Sequence, residues 1–292
     1  MSKKITSYGH RRQIQKAKSI IHEKFNESLS LKELSRECGL SSYYFLRLFS
    51  AYLGETPFKY LRRIRLKESL HMLEDLQKSV TDVSLEVGFD SASSYNKALK
   101  KELNMTPSEF RNLCKDKKSK LIKNISINKK MEEIMKNIKM NLEPKLVTRE
   151  ETTVLVYSQS GDDFKDVAPL VWERFLKNIE NTKEDLSQSE FMGIGSVDEH
   201  KNCTYRAGVS LPEGRDFSIV GLEKQVMPKT KYAKFLLKGS YDQMWYAVDM
   251  AFKAVDENGY EFSKEPCIEN YLNDPSVTPE EELLTEILIP IK

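Results

Sequence analysis

The feature that most constrains this chain is a repeat within its first ~110 residues. Leu34, Gly39, Leu40, Ser42, Thr56, Pro57 and Tyr60 recur as Val83, Gly88, Phe89, Ser91, Thr106, Pro107 and Phe110. The glycines are 49 positions apart and the Thr-Pro pairs 50 apart, so the second copy carries one extra residue just after its turn. Each recurring residue has a mechanical reason. Leu34 or Val83 faces inward from a short helix. Gly39 or Gly88 ends that helix, because a tight helix-to-helix turn needs a positive φ. Leu40 or Phe89 plugs the turn into the core, and Ser41/Ser42 or Ser91 can cap the next helix. Thr56 and Thr106 are N-caps ahead of a proline in the first helical turn, and Glu109 completes a capping box with Thr106. This is a helix-turn-helix written twice, and the second helix of such a unit is the one that enters a major groove.

The spacing of apolar residues predicts helices over Ile14–Phe25, Leu31–Cys38, Ser42–Leu53, Phe58–Leu73, Val80–Val87, Ala92–Leu103 and Pro107–Leu113. In the helix after the first turn, Phe45, Leu48, Phe49 and Tyr52 supply a buried stripe. Tyr43, Leu46, Arg47 and Ser50 fall on the other side. In the second unit Tyr95, Leu99 and Leu103 face inward, leaving Ala92, Ser93, Asn96, Lys97 and Lys100 outward. The chemistry suits a duplex. Arg47 can fork onto guanine, Leu46 can press on a thymine methyl, Asn96 suits adenine, and Lys97 and Lys100 suit guanine or phosphate. The helix Phe58–Leu73 joins the units through Leu61, Ile64, Leu66 and Leu70. Its basic run Arg62, Arg63, Arg65 and Lys67 reads equally as phosphate contact or as a solvated face.

Residues 8–113 are thus expected to form the DNA-binding domain, and 114–143, rich in lysine, a solvated linker with one helix at Lys130–Met140. From residue 144 to 292 the pattern changes. Strands are predicted at Thr152–Tyr157, Phe191–Val197, Thr204–Ser210, Tyr232–Leu237, Pro266–Tyr271 and Leu284–Ile289. Helices are predicted at Val167–Ile179 and Tyr241–Glu257. The expected fold is multidomain: an all-α N-terminal double helix-turn-helix domain, then an α+β domain built from two strand-helix-strand-strand repeats.

Charge follows the same division. Residues 1–139 hold 29 Lys+Arg against 16 Asp+Glu, a net of +13; residues 140–292 hold 17 against 28, a net of −11. A basic module for a polyanion is joined to an acidic one. No apolar run approaches a membrane span and none follows Met1–Arg12, so a cytoplasmic protein without membrane partners is expected. Cys38, Cys114, Cys203 and Cys267 are far apart, as are His10, His22, His71 and His200. Neither a disulfide framework nor a metal site is expected, and no cofactor.

Leu29–Arg111 resembles the AraC/XylS family DNA-binding domain, through Val87-Gly88-Phe89-Asp90-Ser91 and Thr106-Pro107-Ser108-Glu109-Phe110-Arg111. Ala92 and Leu46 replace polar residues common in that family. Residues 144–292 resemble the GyrI-like effector-binding domain of Rob and BmrR type. The marks are the duplicated layout, Gly239-Ser240-Tyr241, Pro266-Cys267-Ile268-Glu269-Asn270-Tyr271 and Leu284-Thr285-Glu286-Ile287-Leu288-Ile289-Pro290. That resemblance implies a groove between the repeats, lined by aromatics and carboxylates, taking cationic, lipophilic compounds. Independently, Glu269 and Glu286 each sit in an apolar strand, where a carboxylate favours a nearby cation. Tyr157, Trp172, Tyr205, Trp245 and Tyr271 are the aromatic candidates, although a large aromatic in such a domain is more often a core residue than a ligand contact.

The reading these features support is a transcription regulator, expected to act as an activator. Its partners are double-stranded promoter DNA, a small lipophilic or cationic effector, and RNA polymerase. Two alternatives remain. One is a hydrolase, in which a Glu–Tyr pair activates water, although no nucleophile motif, phosphate loop or metal cluster accompanies it. The other is a C-terminal domain that serves protein–protein contacts.

Overall fold

The computed structural model describes residues 2–125, 137–161, 164–180, 182–197 and 203–292. They fall into two compact units, residues 12–133 and residues 134–292 with 1–11.

Eight helices are described up to residue 125: α1 (Ser2–Glu23), which the division between the units cuts after Arg11, α2 (Leu31–Glu37), α3 (Ser42–Leu53), α4 (Pro57–Met72), α5 (Val80–Glu86), α6 (Ala92–Leu103), α7 (Pro107–Arg111) and α8 (Lys115–Ile125). Their punctuation is as expected. Gly39 and Gly88 have φ of +67° and +88°, a region costly for any side chain. Ser41 accepts from the Tyr44 amide to cap α3, and Ser91 from the Ser94 amide to cap α6. Thr56 and Thr106 cap α4 and α7, each ahead of a proline, and the Thr106–Glu109 capping box is closed on both sides. Such caps contribute about 1 kcal/mol each. The α4 residues Leu61, Ile64, Leu66 and Leu70 are all buried, as a joining helix requires. Leu66, Leu70, Leu73, Val83, Tyr95, Leu99 and Phe110 make the core of the second repeat. Within it the Tyr95 hydroxyl donates to Ser69 Oγ at 3.0 Å, so the buried phenol is satisfied.

The lysine-rich segment departs from expectation. Lys115–Ile125 is a helix packed on α4, and Ile122 joins the second repeat's core with Leu121 beside it. Two adjacent aliphatic residues anchor the helix while Lys115, Lys117 and Lys120 are exposed. The helix expected at Lys130–Met140 lies mostly outside the described residues, and its last two residues, Lys139–Met140, form strand β1.

Among its described residues from 137 on, the second unit has one antiparallel sheet and two α-helices. Its further strands are β2 (Lys145–Arg149), β3 (Thr152–Gly161), β4 (Phe191–Val197), β5 (Cys203–Ser210), β6 (Glu223–Met227), β7 (Thr230–Lys238), β8 (Cys267–Tyr271) and β9 (Leu284–Ile291). The helices are α9 (Phe164–Glu180) and α10 (Met244–Glu257). Strand order is β1-β7-β9-β8-β4-β5-β3-β6, with β2 also on β7. The repeats β3-α9-β4-β5 and β7-α10-β8-β9 therefore meet through their middle strands, β4 and β8, with Gly193 opposite Glu269. Helix α9 packs on β3 and β5, and α10 on β7 and β9.

Side chains alternate across a sheet. One face carries Tyr205, Glu269, Tyr271 and Ile287, and both helices reach it: Trp172 of α9 and Trp245 of α10 each meet Tyr205. The other face buries a cluster contributed entirely by strand and strand-end residues: Val154, Val156, Met192, Ile194, Met227, Tyr232, Ile268 and Leu288. Cys38, Cys203 and Cys267 are buried thiols and Cys114 is exposed.

Candidate nucleic-acid interface and effector site

On α6 the capped start and the inward Tyr95 and Leu99 fix the helix's rotation. Ser93, Asn96, Lys97 and Lys100 are exposed as a consequence, and Ala92 is half-buried. Beside them, α4 and α6 enclose a groove of about 430 Å³, lined among others by Arg62, Arg65, Ser94, Lys97, Lys101 and Asp90. The basic run on α4 divides by role. Arg65 donates to the carbonyls of Phe25 and Glu27 at 2.6 and 2.8 Å, and burial lowers its pKa. Arg63 pairs with buried Glu55 at 2.6 Å. Both are staples of the fold. Arg62, exposed, is left facing the groove with Lys97 and Lys101. Lys101 escaped the sequence reading, which followed one helix face and not the gap between two helices.

Helix α3 corrects the expectation. The side expected to face outward is covered: Leu46, Arg47 and Ser50 are buried, Arg47 at 5% and Ser50 at 7% exposure, and Tyr43 is half-buried. Eight consecutive residues, Tyr44 to Ala51, are buried. The reason lies in composition, since α3 is apolar around most of its circumference, and a helix apolar all round takes cover all round. Arg47 lies with its guanidinium 5.6 Å from the centre of the Tyr43 ring. Partial exposure on α3 is confined to its two ends, Ser42 and Tyr43 after the exposed cap Ser41, and Tyr52 and Leu53.

In the second unit the carboxylate of Glu269, 3% exposed, sits at the seam between the repeats. Its Oε2 accepts from the Tyr205 hydroxyl at 2.7 Å and the Tyr271 hydroxyl at 3.0 Å. The Trp172 indole N–H donates to the Tyr205 oxygen at 3.2 Å. Burial first, and the Glu269 charge second, push both phenols well above the usual tyrosine pKa, so they stay neutral donors. The rings pack edge to face: Trp172 and Tyr241 on Tyr271, each at 5.1 Å, and Trp245 near Tyr205 at 6.2 Å. Gly193 is what lets strand β4 pass this cluster. A Cβ there would lie 2.0 Å from the Tyr205 hydroxyl and 2.8 Å from Glu269 Oε2.

Of the predicted effector-site residues, Glu269, Trp172, Tyr205, Trp245 and Tyr271 come together. Tyr157 shares their face but stands on β3, three strands from Glu269. Glu286 does not belong to this site. It pairs with Asn270, the neighbour of Glu269, so period-two alternation turns it to the opposite face. There it accepts from Lys234 at 2.6 Å. Tyr241 and Thr285 were missed. Both hydroxyls are buried without a hydrogen-bond partner among the described residues, Tyr241 against the Tyr271 ring and Thr285 opposite Tyr271 in the sheet. The pairing of Gly239-Ser240-Tyr241 with the start of a helix was the available signal.

No helix among the described residues is long and apolar enough to cross a membrane, and no group of metal-binding side chains is found among them.

Residues 34–113 match the helix-turn-helix domain family, and residues 142–292 match the GyrI-like small molecule binding domain. A probable transcription factor, PqrA of Proteus vulgaris, is 31% identical over 86 residues, which are 30% of this chain and 70% of that protein. The Msm operon regulatory protein of Streptococcus mutans is 29% identical over 98 residues, 34% of this chain and only 35% of that protein's length. Among solved structures, SAV2435 bound to tetraphenylphosphonium is 17% identical, covering 51% of this chain and 94% of that one, with a TM-score of 0.42. The chain belongs to the AraC-type DNA-binding transcriptional regulators, and its C-terminal half to the GyrI-like small molecule binding domains.

Proposed function

We propose that this chain is a one-component regulator that works in the cytoplasm by binding and not by catalysis. The helical unit reads promoter DNA, and the sheet unit takes a lipophilic cation at Glu269. The observation that carries the reading is a buried carboxylate met by two phenols and two indole-bearing helices. A carboxylate 3% exposed among aromatic rings favours a cation beside it, and the faces of those rings attract a cation as well. Unpartnered Tyr241 and Thr285 hydroxyls are polar handles beside it. The effector reading is favoured over the hydrolase, because Glu269 already holds the phenol protons that a water would have to compete for.

On the DNA side, Ser93, Asn96 and Lys97 of α6 contact bases, with Lys100, Lys101 and Arg62 on phosphates. At α3, Ser42 and Tyr43 serve at the helix's N-terminal end, with Arg47 holding the Tyr43 ring. Two measurements on the full-length protein test this. In fluorescence anisotropy on its own promoter duplex, Asn96→Ala is expected to weaken binding about tenfold or more. Lys100→Ala, which removes a phosphate contact, is expected to weaken it across sequences and to flatten the salt dependence by about one unit of slope. Unchanged affinity in both variants would refute the α6 assignment. In calorimetry, Glu269→Gln is expected to weaken tetraphenylphosphonium binding about tenfold. Equal affinity would refute the effector site.

A further inference from the structure

Glu286, excluded from the aromatic site, stands in a second groove on the opposite face of the sheet. This groove, of about 310 Å³, is lined by Val147, Arg149, Thr152, Glu190, Lys234, Glu286 and Leu288, with Glu150 at its edge. All belong to the second unit. Register explains the gathering. Lys145 of β2 pairs with Lys234 of β7, so Val147 and Arg149 point to the same side as Lys234. Lys234 pairs with Leu288 of β9, and Glu286 with Asn270 of β8, which completes that side.

Its chemistry is of both signs. Lys234 pairs with Glu286 at 2.6 Å, and Arg149 pairs with Glu190. Glu150 is held from outside by Lys229 at 2.9 Å. The second Glu286 oxygen accepts from the Asn270 amide at 3.4 Å, a long contact. Asn270 is 3% exposed, and its Oδ1 has no hydrogen-bond partner among the described residues. The groove thus has an acceptor end, Glu286, backed by buried Asn270; a donor end, the Arg149 guanidinium; and an aliphatic strip, Val147 and Leu288.

We propose that this groove is a second ligand site, separate from Glu269, that takes a small zwitterion of the α-amino-acid class. The ligand ammonium meets Glu286. Its carboxylate meets Arg149, whose planar fork fits a carboxylate, and its aliphatic side chain lies on Val147 and Leu288. The volume stands at the lower end of the range for small-molecule pockets, which excludes bulky polycyclic cations. The lining carries three acidic side chains to two basic ones, so a simple anion is disfavoured.

Leucine, leucine methyl ester and N-acetylleucine, titrated into the full-length protein, test this. They present the same side chain as zwitterion, cation and anion. Leucine is expected to bind in the millimolar range or tighter, with the ester about tenfold weaker and N-acetylleucine weaker still. Methyl resonances of Val147 and Leu288 are expected to move, and those of Leu155 and Ile287 on the opposite face to stay. Glu286→Gln is expected to weaken leucine about tenfold while leaving tetraphenylphosphonium affinity unchanged. No saturable leucine binding, equal binding of the ester or the acetylated acid, or shifts confined to the Leu155 and Ile287 face would each overturn the proposal. The methyl shifts decide the matter in the unaltered protein, whatever the folding of the variant. Loss of tetraphenylphosphonium binding in Glu269→Gln with leucine binding kept separates this site from the aromatic one.

Discussion

A single carboxylate, Glu269, decides the chemistry of the sheet unit because two phenols are committed to it. Tyr205 and Tyr271 both have pKa values raised by burial and by the Glu269 charge. The sign of the pH effect follows. An unfolded tyrosine ionises near 10.0, and the folded phenols hold their protons well beyond that. The stabilisation is therefore whole below about pH 10 and is lost as pH rises from there through the folded values. Thermal unfolding of the full chain between pH 8 and 11 is expected to show a falling Tm above about pH 10. Tyr205→Phe, starting less stable, is expected to lose less over the same interval. Parallel curves for the two proteins would mean that the phenol at 205 does not titrate with folding. Residue identity was legible in the sequence here: five of seven predicted effector residues meet. Glu286 was not, because a strand pattern of Leu284-Thr285-Glu286-Ile287 is apolar on both faces and leaves open which face the carboxylate takes.

At the level of elements, punctuation carried more information than hydrophobicity. Helices α3 and α6 and strand β4 have the bounds expected from sequence, and each helix is bounded by a serine cap and a left-handed C-cap, Gly54 or Asn104. Those residues act locally, so they can be read without knowing the fold. Strands β2 and β6 were missed because they read Lys-Leu-Val-Thr-Arg and Glu-Lys-Gln-Val-Met. They flank the core strands β7 and β3, and strands near a sheet's margin carry charge that discourages further pairing, at the expense of alternation. The buried side of α3 was missed for a different reason. Periodicity shows that Phe45, Leu48 and Phe49 share a stripe, but the opposite positions, Tyr43, Leu46 and Arg47, have no period that separates a reading surface from a second packing surface. Helix α8 was hidden by its lysines, since two aliphatic residues in eleven anchor it.

At the scale of the whole molecule, charge is the property that separates the two halves. The basic residues needed to neutralise phosphates lie in the half carrying +13, and the half carrying −11 opposes any polyanion. The contact and field contributions respond differently to salt. Contacts release counterions, so they weaken steeply as salt rises. Repulsion from the acidic half acts through solvent over a Debye length, about 10 Å at 0.1 M and about 3 Å at 1 M. On a duplex without an operator, the intact chain is therefore expected to bind more weakly than the fragment 12–133 at low salt. The two affinities are expected to converge between about 50 and 200 mM salt. Anisotropy titrations across that range check it. A gap that stays constant with salt would assign the difference to something other than charge, and the asymmetry would then bear on solubility alone.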